Sequence, residues 1–300
     1  MAKSQCKDKW LVLDGNYMCH RLFYAIGGLR HEDVATGVVF GFLREIVSLQ
    51  EEHHTTKIAF CFDSGESLRR QRYPEYKANR KKSTTDPQEL KVLQEFYAQV
   101  NGLRDKILPH IGYRNIFWAE GYEADDFIGR VAQKFSDDIT TRVVMVSADQ
   151  DLYQLLSGRV HMWNPHKKHM MTGNSFREEY AIQPPIWRHV KALAGCATDN
   201  VKGVEGIGEK LAAKYFAGSM KRDCVAWEKI ERGVAQGILK KNLPIVTLPY
   251  KGTPDVQLAP DAISQYAWDE IIQTFGFASM KGTTPFPGRS RRPRAVRKEV

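Results

Sequence analysis

Carboxylates recur in this chain directly after short apolar runs. Asp14 ends WLVLD, Asp63 follows IAFCF, and the pair Asp149 and Asp151 follows VVMV in SADQD. Glu123, Asp125 and Asp126 crowd the start of an apolar helical pattern in GYEADD, and Asp199 stands in TDN. Any one of these has an ordinary explanation, because Asp favours turns and helix caps. Capping against the helix dipole accounts for one or two acids at GYEADD, but not for three beside further sites of the same kind. So many anions in one place repel each other unless divalent metal lies among them. Carboxylate oxygens with no interleaved His or Cys cluster select Mg²⁺ or Mn²⁺ over zinc. The set is too large for one ion. Two ions sharing a carboxylate would activate water and stabilise charge on a phosphoryl group, which is the chemistry of phosphodiester hydrolysis.

A basic segment follows Asp63. ESLRRQRYPEYKANRKK sets Arg69, Arg70, Arg72, Lys77, Arg80, Lys81 and Lys82 against Glu66 and Glu75. A charge run of this sort is usually a solvated face, and Lys81 and Lys82 are read so. The interleaved Tyr73 and Tyr76 suggest more, since cations that track phosphates beside rings that stack on bases suit a nucleic-acid single strand. A third element is VKGVEGIGEK. There Gly203, Gly206 and Gly208 allow close approach of backbone to a phosphate, the next helix offers free amides, and Lys202 and Lys210 add charge. The spacing is not that of a nucleotide-binding P-loop, so ATP use is not implied.

Positioning these residues requires strands alternating with helices. Strands are predicted at Trp10–Leu13, Ile58–Phe62, Ile116–Trp118, Val143–Val146 and Val160–Trp163. One helical face is marked by Val38, Phe42, Ile46 and Leu49 behind a Thr36 cap, and another by Phe127, Ile128, Val131, Ala132 and Phe135 behind GYEADD. Asp86-Pro87 is expected to cap a helix running to about Leu108. The alternation predicts an α/β fold with a parallel sheet, whose ligand crevice lies beyond the carboxyl ends of the strands, where Asp14, Asp63 and Asp149 fall. From Pro184 the pattern becomes helical, with Ile186, Val190 and Leu193 on one face, and a boundary is expected near residue 181. Residues 281–300 carry seven Lys or Arg against one Glu, and disorder is expected there.

Taken together, these segments resemble the structure-specific 5′ nucleases, which include flap endonucleases and the 5′-nuclease domain of bacterial DNA polymerase I. VLDGN, FCFDS, YPEYKANR, GYEADD, SADQDLYQLL, TDNVKGVEGIGEK and NLPIVTLP occur in the family's order from about residue 10 to 250. The resemblance implies a PIN-like, Rossmann-like sheet bearing the metals, a helical arch over about residues 69–108, and a helix-two-turn-helix at about 185–217. It divides the chain into a nuclease domain at 8–180, a helical DNA-binding subdomain at 181–280 and the tail. It matches Asp14, Asp63, Glu123 and Asp125 to a first metal, with Asp125 also facing the second. Asp149, Asp151 and Asp199 match the second metal and Asp126 an outer position. Lys77 and Arg80 match residues on the scissile phosphate, and Arg21 a position near the splayed 5′ end. Arg69, Arg72 and Tyr76 fall in the arch as further DNA contacts. The glycine turn would also hold K⁺. One departure stands out: phage and bacterial members usually read GDxxDN where this chain reads GCATDN, which places Cys196 at an expected second-site aspartate.

The implied activity is Mg²⁺-dependent cleavage of DNA at 5′ flaps, junctions and 5′ ends, with an RNA primer as a further candidate substrate. Three alternatives remain. A PIN-type ribonuclease needs neither YKANR nor the glycine turn. A haloacid dehalogenase phosphatase requires an acid two residues after its first aspartate, where Asn16 stands here. A junction-binding protein could keep the scaffold and lose the second metal at Cys196. Composition agrees with a polyanionic partner: the 300 residues are 42% hydrophobic, enough for a core, and carry a formal charge of +9 despite the acids. Cys6, Cys19, Cys61, Cys196 and Cys224 show no CxxC spacing, which suggests a reducing compartment. No signal peptide or membrane span is evident, so a cytoplasmic monomer is expected, in a bacterium or phage-infected cell, working apart from any polymerase segment.

Overall fold

The computed structural model describes residues 8–80, 85–136 and 138–286. These form two compact units, one of residues 8–15, 59–80, 117–136 and 138–256, the other of residues 16–58, 85–116 and 257–286. The basic tail expected to be disordered lies largely outside the described residues. Its first part, residues 281–286, is instead packed: Trp268 Nε1 donates to Thr283 Oγ1 at 3.2 Å and Gln265 Nε2 to the Thr283 carbonyl at 3.1 Å.

The strands are β1 (Asp8–Asp14), β2 (Arg30–His31), β3 (Val34–Ala35), β4 (Lys57–Cys61), β5 (Ile116–Phe117), β6 (Thr141–Val146), β7 (Val160–Asn164), β8 (His169–Met171), β9 (Gly195–Cys196) and β10 (Val201–Lys202). Six of them make one sheet in the order β5-β4-β1-β6-β7-β8. β6 runs parallel to both β1 and β7, with Leu13 opposite Val146. Leu11, Val12, Leu13, Val143, Met145 and Val146 are wholly buried, as continuous apolar strands covered on both faces must be. The sheet is not purely parallel. β8 pairs antiparallel with β7. The connection at residues 165–168 is a tight turn: Asn164 Oδ1 accepts from the His166 and Lys167 amides, each at 3.0 Å, and Lys168 takes φ 48°. A four-residue turn reverses the chain and leaves no room for the crossover that a parallel partner needs.

The helices are α1 (Gly15–Ile26), α2 (Gly37–His53), α3 (Leu68–Arg72), α4 (Pro87–Gly102), α5 (Leu108–Ile111), α6 (Ala124–Lys134), α7 (Gly173–Tyr180), α8 (Trp187–Ala194), α9 (Glu209–Phe216), α10 (Val225–Ala235), α11 (Ile238–Val246) and α12 (Gln265–Thr274). α3 and α6 to α11 belong with the sheet in the first unit. Ala181 closes α7 in the left-handed conformation, so a break near 181 exists locally, but the chain on both sides of it stays in one unit.

In the second unit, α2 starts where predicted, yet the Thr36 side chain makes no cap hydrogen bond. Its free amides are met from elsewhere: Val38 and Val39 donate to Gln99 Oε1 of α4 at 2.9 and 3.4 Å. The Asp86 cap forms, its carboxylate accepting from the Gln88 amide at 2.8 Å. α4 does not run uninterrupted to Leu108, because Leu103–Ile107 widens into a π-turn before α5. Among the described residues, no helix is long and apolar enough to cross a membrane.

Candidate metal centre and nucleic-acid interface

The acids converge for a topological reason. Asp14 is the last residue of β1, and Asp149 follows the parallel neighbour β6 by three residues, so both leave the sheet at its carboxyl edge. Asp63 follows β4 and accepts from the Ala124 amide at 2.7 Å, which fastens it to the start of α6. That same helix start carries Asp125. Burial first, then Asp149 and Asp14, push the Asp125 pKa well above the carboxylate range, with Lys77 opposing and Asp63 adding to the rise. Burial likewise raises Asp63. These four side chains therefore share one field, and proton or metal must relieve it. Ser147 donates to Asp14 Oδ2 at 3.1 Å, and its Oγ accepts from the Asp149 amide at 3.2 Å, orienting both edges of the cluster. The donor set, carboxylate oxygens in mutual repulsion, fits a hard divalent cation.

Glu123 sits beside this cluster in a different state. Its Oε2 accepts from Lys77 Nζ at 2.9 Å and Tyr76 Oη at 3.0 Å, and its Oε1 from Ser67 Oγ at 3.1 Å. Burial would raise its pKa, but Lys77 and Arg69 outweigh that and hold it below the usual range. Asp126 belongs to the framework. It is fully buried, its two oxygens accept from Arg69 Nη1 and Nη2 at 2.7 Å each, and they accept further from the amides of Tyr250 at 2.7 Å and Glu123 at 3.1 Å. Four donors fill its lone-pair positions, leaving none for an ion.

Two residues expected on DNA are buried in this architecture. Arg69 is 2% exposed; beyond Asp126 it donates through Nε to the Ile245 carbonyl at 2.8 Å and lies over the Tyr250 ring at 4.7 Å. Tyr76 is 5% exposed and packs with Ala192, Val201, Ile245 and Val246, so its ring has no face free for a base. Sequence reasoning counted Arg69 with its basic neighbours, but α3 turns one side inward, and Arg69 is on that side. Arg72 remains exposed. Arg21 lies in the second unit, paired with Glu45 at 2.8 Å.

The YPEYKANR segment is stitched to the TDN turn. Lys77 takes φ 52° and its amide donates to the Asp199 carbonyl at 2.8 Å. Asn79 donates to the Ala197 carbonyl at 3.1 Å, Asn200 to the Glu75 carbonyl at 2.8 Å, and Arg80 pairs with the Asp199 carboxylate. Lys77 thus stands at the acids through backbone and side chain, and Arg80 through its side chain.

Asp151, Cys196 and Asp199 form a second cluster, with ligand atoms all within 4.8 Å of one another. Asp151 is pushed up to about 6 by burial and by Asp149. Lys191, which sequence reasoning missed, bridges it: Nζ lies 2.7 Å from Asp151 Oδ1 and 2.7 Å from Glu209 Oε1. Burial works against that ammonium, yet Asp151 and Glu209 hold its pKa above the ordinary value. A signal existed, because Lys191 stands four residues after Trp187 and next to Val190 on the buried face of α8.

The glycine turn divides its labour. Gly203 is needed by packing, since a Cβ there would meet the Ala194 carbonyl oxygen at 2.1 Å, and Gly206 takes φ 77°. Gly208 has neither constraint. A Cβ at Gly208 would meet nothing within 4 Å, and this exposed residue precedes the free amides at the start of α9, with Lys202 and Lys210 exposed nearby in sequence.

Residues 9–181 match the family model of the 5′-3′ exonuclease N-terminal resolvase-like domain. The chain belongs to the 5′-3′ exonuclease family. It is 34% identical over 219 residues to the 5′-3′ exonuclease of Bacillus subtilis, covering 70% of each chain. It is also 34% identical over 288 residues to DNA polymerase I of Mycobacterium tuberculosis, covering 89% of this chain and 30% of the polymerase. The chain thus spans under a third of the length of such polymerase relatives. Among solved structures, phage T5 5′-exonuclease with bound zinc shares the fold with a TM-score of 0.66 at 19% identity, covering 80% of this chain and 90% of that one. The catalytic core of Rad2 in complex with DNA substrate does so with a TM-score of 0.55 at 15% identity, covering 94% and 89%.

Proposed function

We propose that this protein is a metal-dependent nuclease that hydrolyses DNA phosphodiesters at 5′ flaps, at junctions and at free 5′ ends. The observation that carries this reading is the convergence of Asp14, Asp63, Asp125 and Asp149 at one sheet edge, with Lys77 and Arg80 beside them. Asp14, Asp63, Asp125 and Asp149 would hold Mg²⁺, with Glu123 joining them on release from Lys77. Bound there, the ion would lower the pKa of a water and neutralise phosphate charge. Lys77 and Arg80 would place cationic donors on the scissile phosphate, where developing negative charge gains from fixed positive groups in a recessed site. The Gly208 turn and the start of α9 would take a phosphate of the duplex, with K⁺ on the carbonyls of the turn. Arg72, Lys202 and Lys210 would track the backbone, and Arg21 would lie near the 5′ end.

The pairing of Asp151 with Lys191 and of Asp199 with Arg80 favours a second reading, a junction binder with weakened catalysis, because both carboxylates are already engaged. A 5′-labelled flap incubated with Mg²⁺, then with EDTA, separates the two. Metal-dependent release of the flap, abolished by Asp125→Asn, supports the nuclease; tight flap binding without turnover in Mg²⁺ or Mn²⁺ supports the binder. A matched RNA flap tests the primer substrate.

A further inference from the structure

The cluster of Asp151, Cys196 and Asp199 differs in chemistry from the acids at the sheet edge. It mixes one sulfur with two carboxylates, and its three ligand atoms lie within 4.8 Å of one another. A tetrahedral ion with bonds of about 2.3 Å to sulfur and about 2.0–2.2 Å to oxygen needs ligand atoms roughly 3.5 Å apart, so only a small closing is required. Each carboxylate is already partly neutralised. Lys191, 7% exposed at its side chain, is 2.7 Å from Asp151 Oδ1, and Arg80 pairs with Asp199. Mg²⁺ sheds water reluctantly and depends on full carboxylate charge, so this neutralisation costs it most. An ion that bonds to sulfur has a ligand that neither cation opposes by pairing. The Thr198 hydroxyl lies 3.0 Å from Cys196 Sγ, and once the thiol proton has left, it can donate to the sulfur and stabilise the thiolate.

We propose that Asp151, Cys196 and Asp199 form a thiolate–carboxylate site that takes a borderline divalent ion such as Zn²⁺ or Co²⁺ in preference to Mg²⁺. On binding, the Cys196 S–H bond gives way to a sulfur–metal bond and the proton passes to solvent. Water or a phosphate oxygen completes the coordination. The site concerns metal choice and is read without DNA, so its failure is separate from failure of the nuclease assignment.

The test is titration of the full chain, reduced with a phosphine and free of DNA, with CoCl₂. A near-ultraviolet sulfur-to-cobalt charge-transfer band is expected to grow to one equivalent. It should vanish in Cys196→Ser and persist in Cys224→Ser and Cys6→Ser. Stoichiometric Zn²⁺ should remove it, while a roughly hundredfold excess of Mg²⁺ should not. Cys196→Asp keeps a ligand of similar size, and should lose the band and gain about tenfold or more in Mg²⁺ affinity by calorimetry. Absence of the band, its survival in Cys196→Ser, or its loss to stoichiometric Mg²⁺ would overturn the proposal.

Discussion

Replacing Arg69 with Met tests whether this residue holds the fold or grips DNA. The substitution keeps most of the aliphatic bulk and removes the guanidinium that donates twice to Asp126 at 2.7 Å. Asp126 is wholly buried, so it would be left as an uncompensated charge, and breaking a buried pair in this way costs about 3–5 kcal/mol. With an unfolding entropy of roughly 2.1 cal/mol/K per residue, each kcal/mol shifts the melting midpoint of a 300-residue chain by about 1.6 °C, so a fall of roughly 5–8 °C is expected by calorimetry or circular dichroism. Adding Asp126→Asn should recover part of the loss, because the neutral amide buries no charge while its oxygen still accepts from the Tyr250 amide. In DNA binding, the salt dependence of the variant should match the parent. Exposed Arg72→Ala should do the reverse, keeping the melting midpoint and lowering the slope of log affinity against log salt by about 0.9. An Arg69→Met protein that melts normally and loses salt slope would refute the reasoning.

Other expected outcomes follow from the same geometry. Gly203→Ala drives a Cβ into the Ala194 carbonyl and should destabilise the fold by about 1–3 kcal/mol, while Gly208→Ala should leave stability within about 0.5 kcal/mol and lower flap affinity, both read by denaturant titration and fluorescence anisotropy. Tyr76→Phe removes only the hydroxyl donated to Glu123 and should cost about 0.5–1.5 kcal/mol with no change in DNA affinity; a loss of affinity at unchanged stability would contradict its burial. Asp63, Asp125 and Asp151 have raised folded pKa values, so the folded state holds their protons more tightly than the unfolded state does. Their contribution to metal-free stability is therefore present below the ordinary carboxylate range and lost as pH rises through the folded values, about 6 for Asp151. Metal-free protein should melt higher at pH 5.5 than at pH 7.5, Mg²⁺ should flatten that dependence, and Asp125→Asn should shrink it; equal slopes in all three cases would argue against a shared field.

Several elements were legible because they rest on local chemistry. Asp14 at the end of an apolar strand, Asp125 at a helix start and the Asp86-Pro87 cap each follow from residue type and short spacing, and the structure puts them there. Thr36 shows the limit. It has the right type and position for a cap, yet Gln99, more than sixty positions away, supplies the acceptor. The antiparallel β8 was hidden for a different reason: the turn at Asn164 is local, but the strand that follows it, His169–Met171, is too short to show an alternating pattern.

The sequence by itself determined which groups could ligate a cation, their order along an alternating fold, and the unusual sulfur of Cys196. Tertiary structure decided which of those groups are free to act. Arg69 and Ile245 are 176 positions apart, Tyr76 and Glu123 are 47 apart, and Arg80 and Asp199 are 119 apart. No local spacing encodes such pairs. Charge and ring character are properties of the residue, but exposure and partnership are properties of its surroundings, and those surroundings separate Arg69 from Arg72 and Asp126 from Asp125.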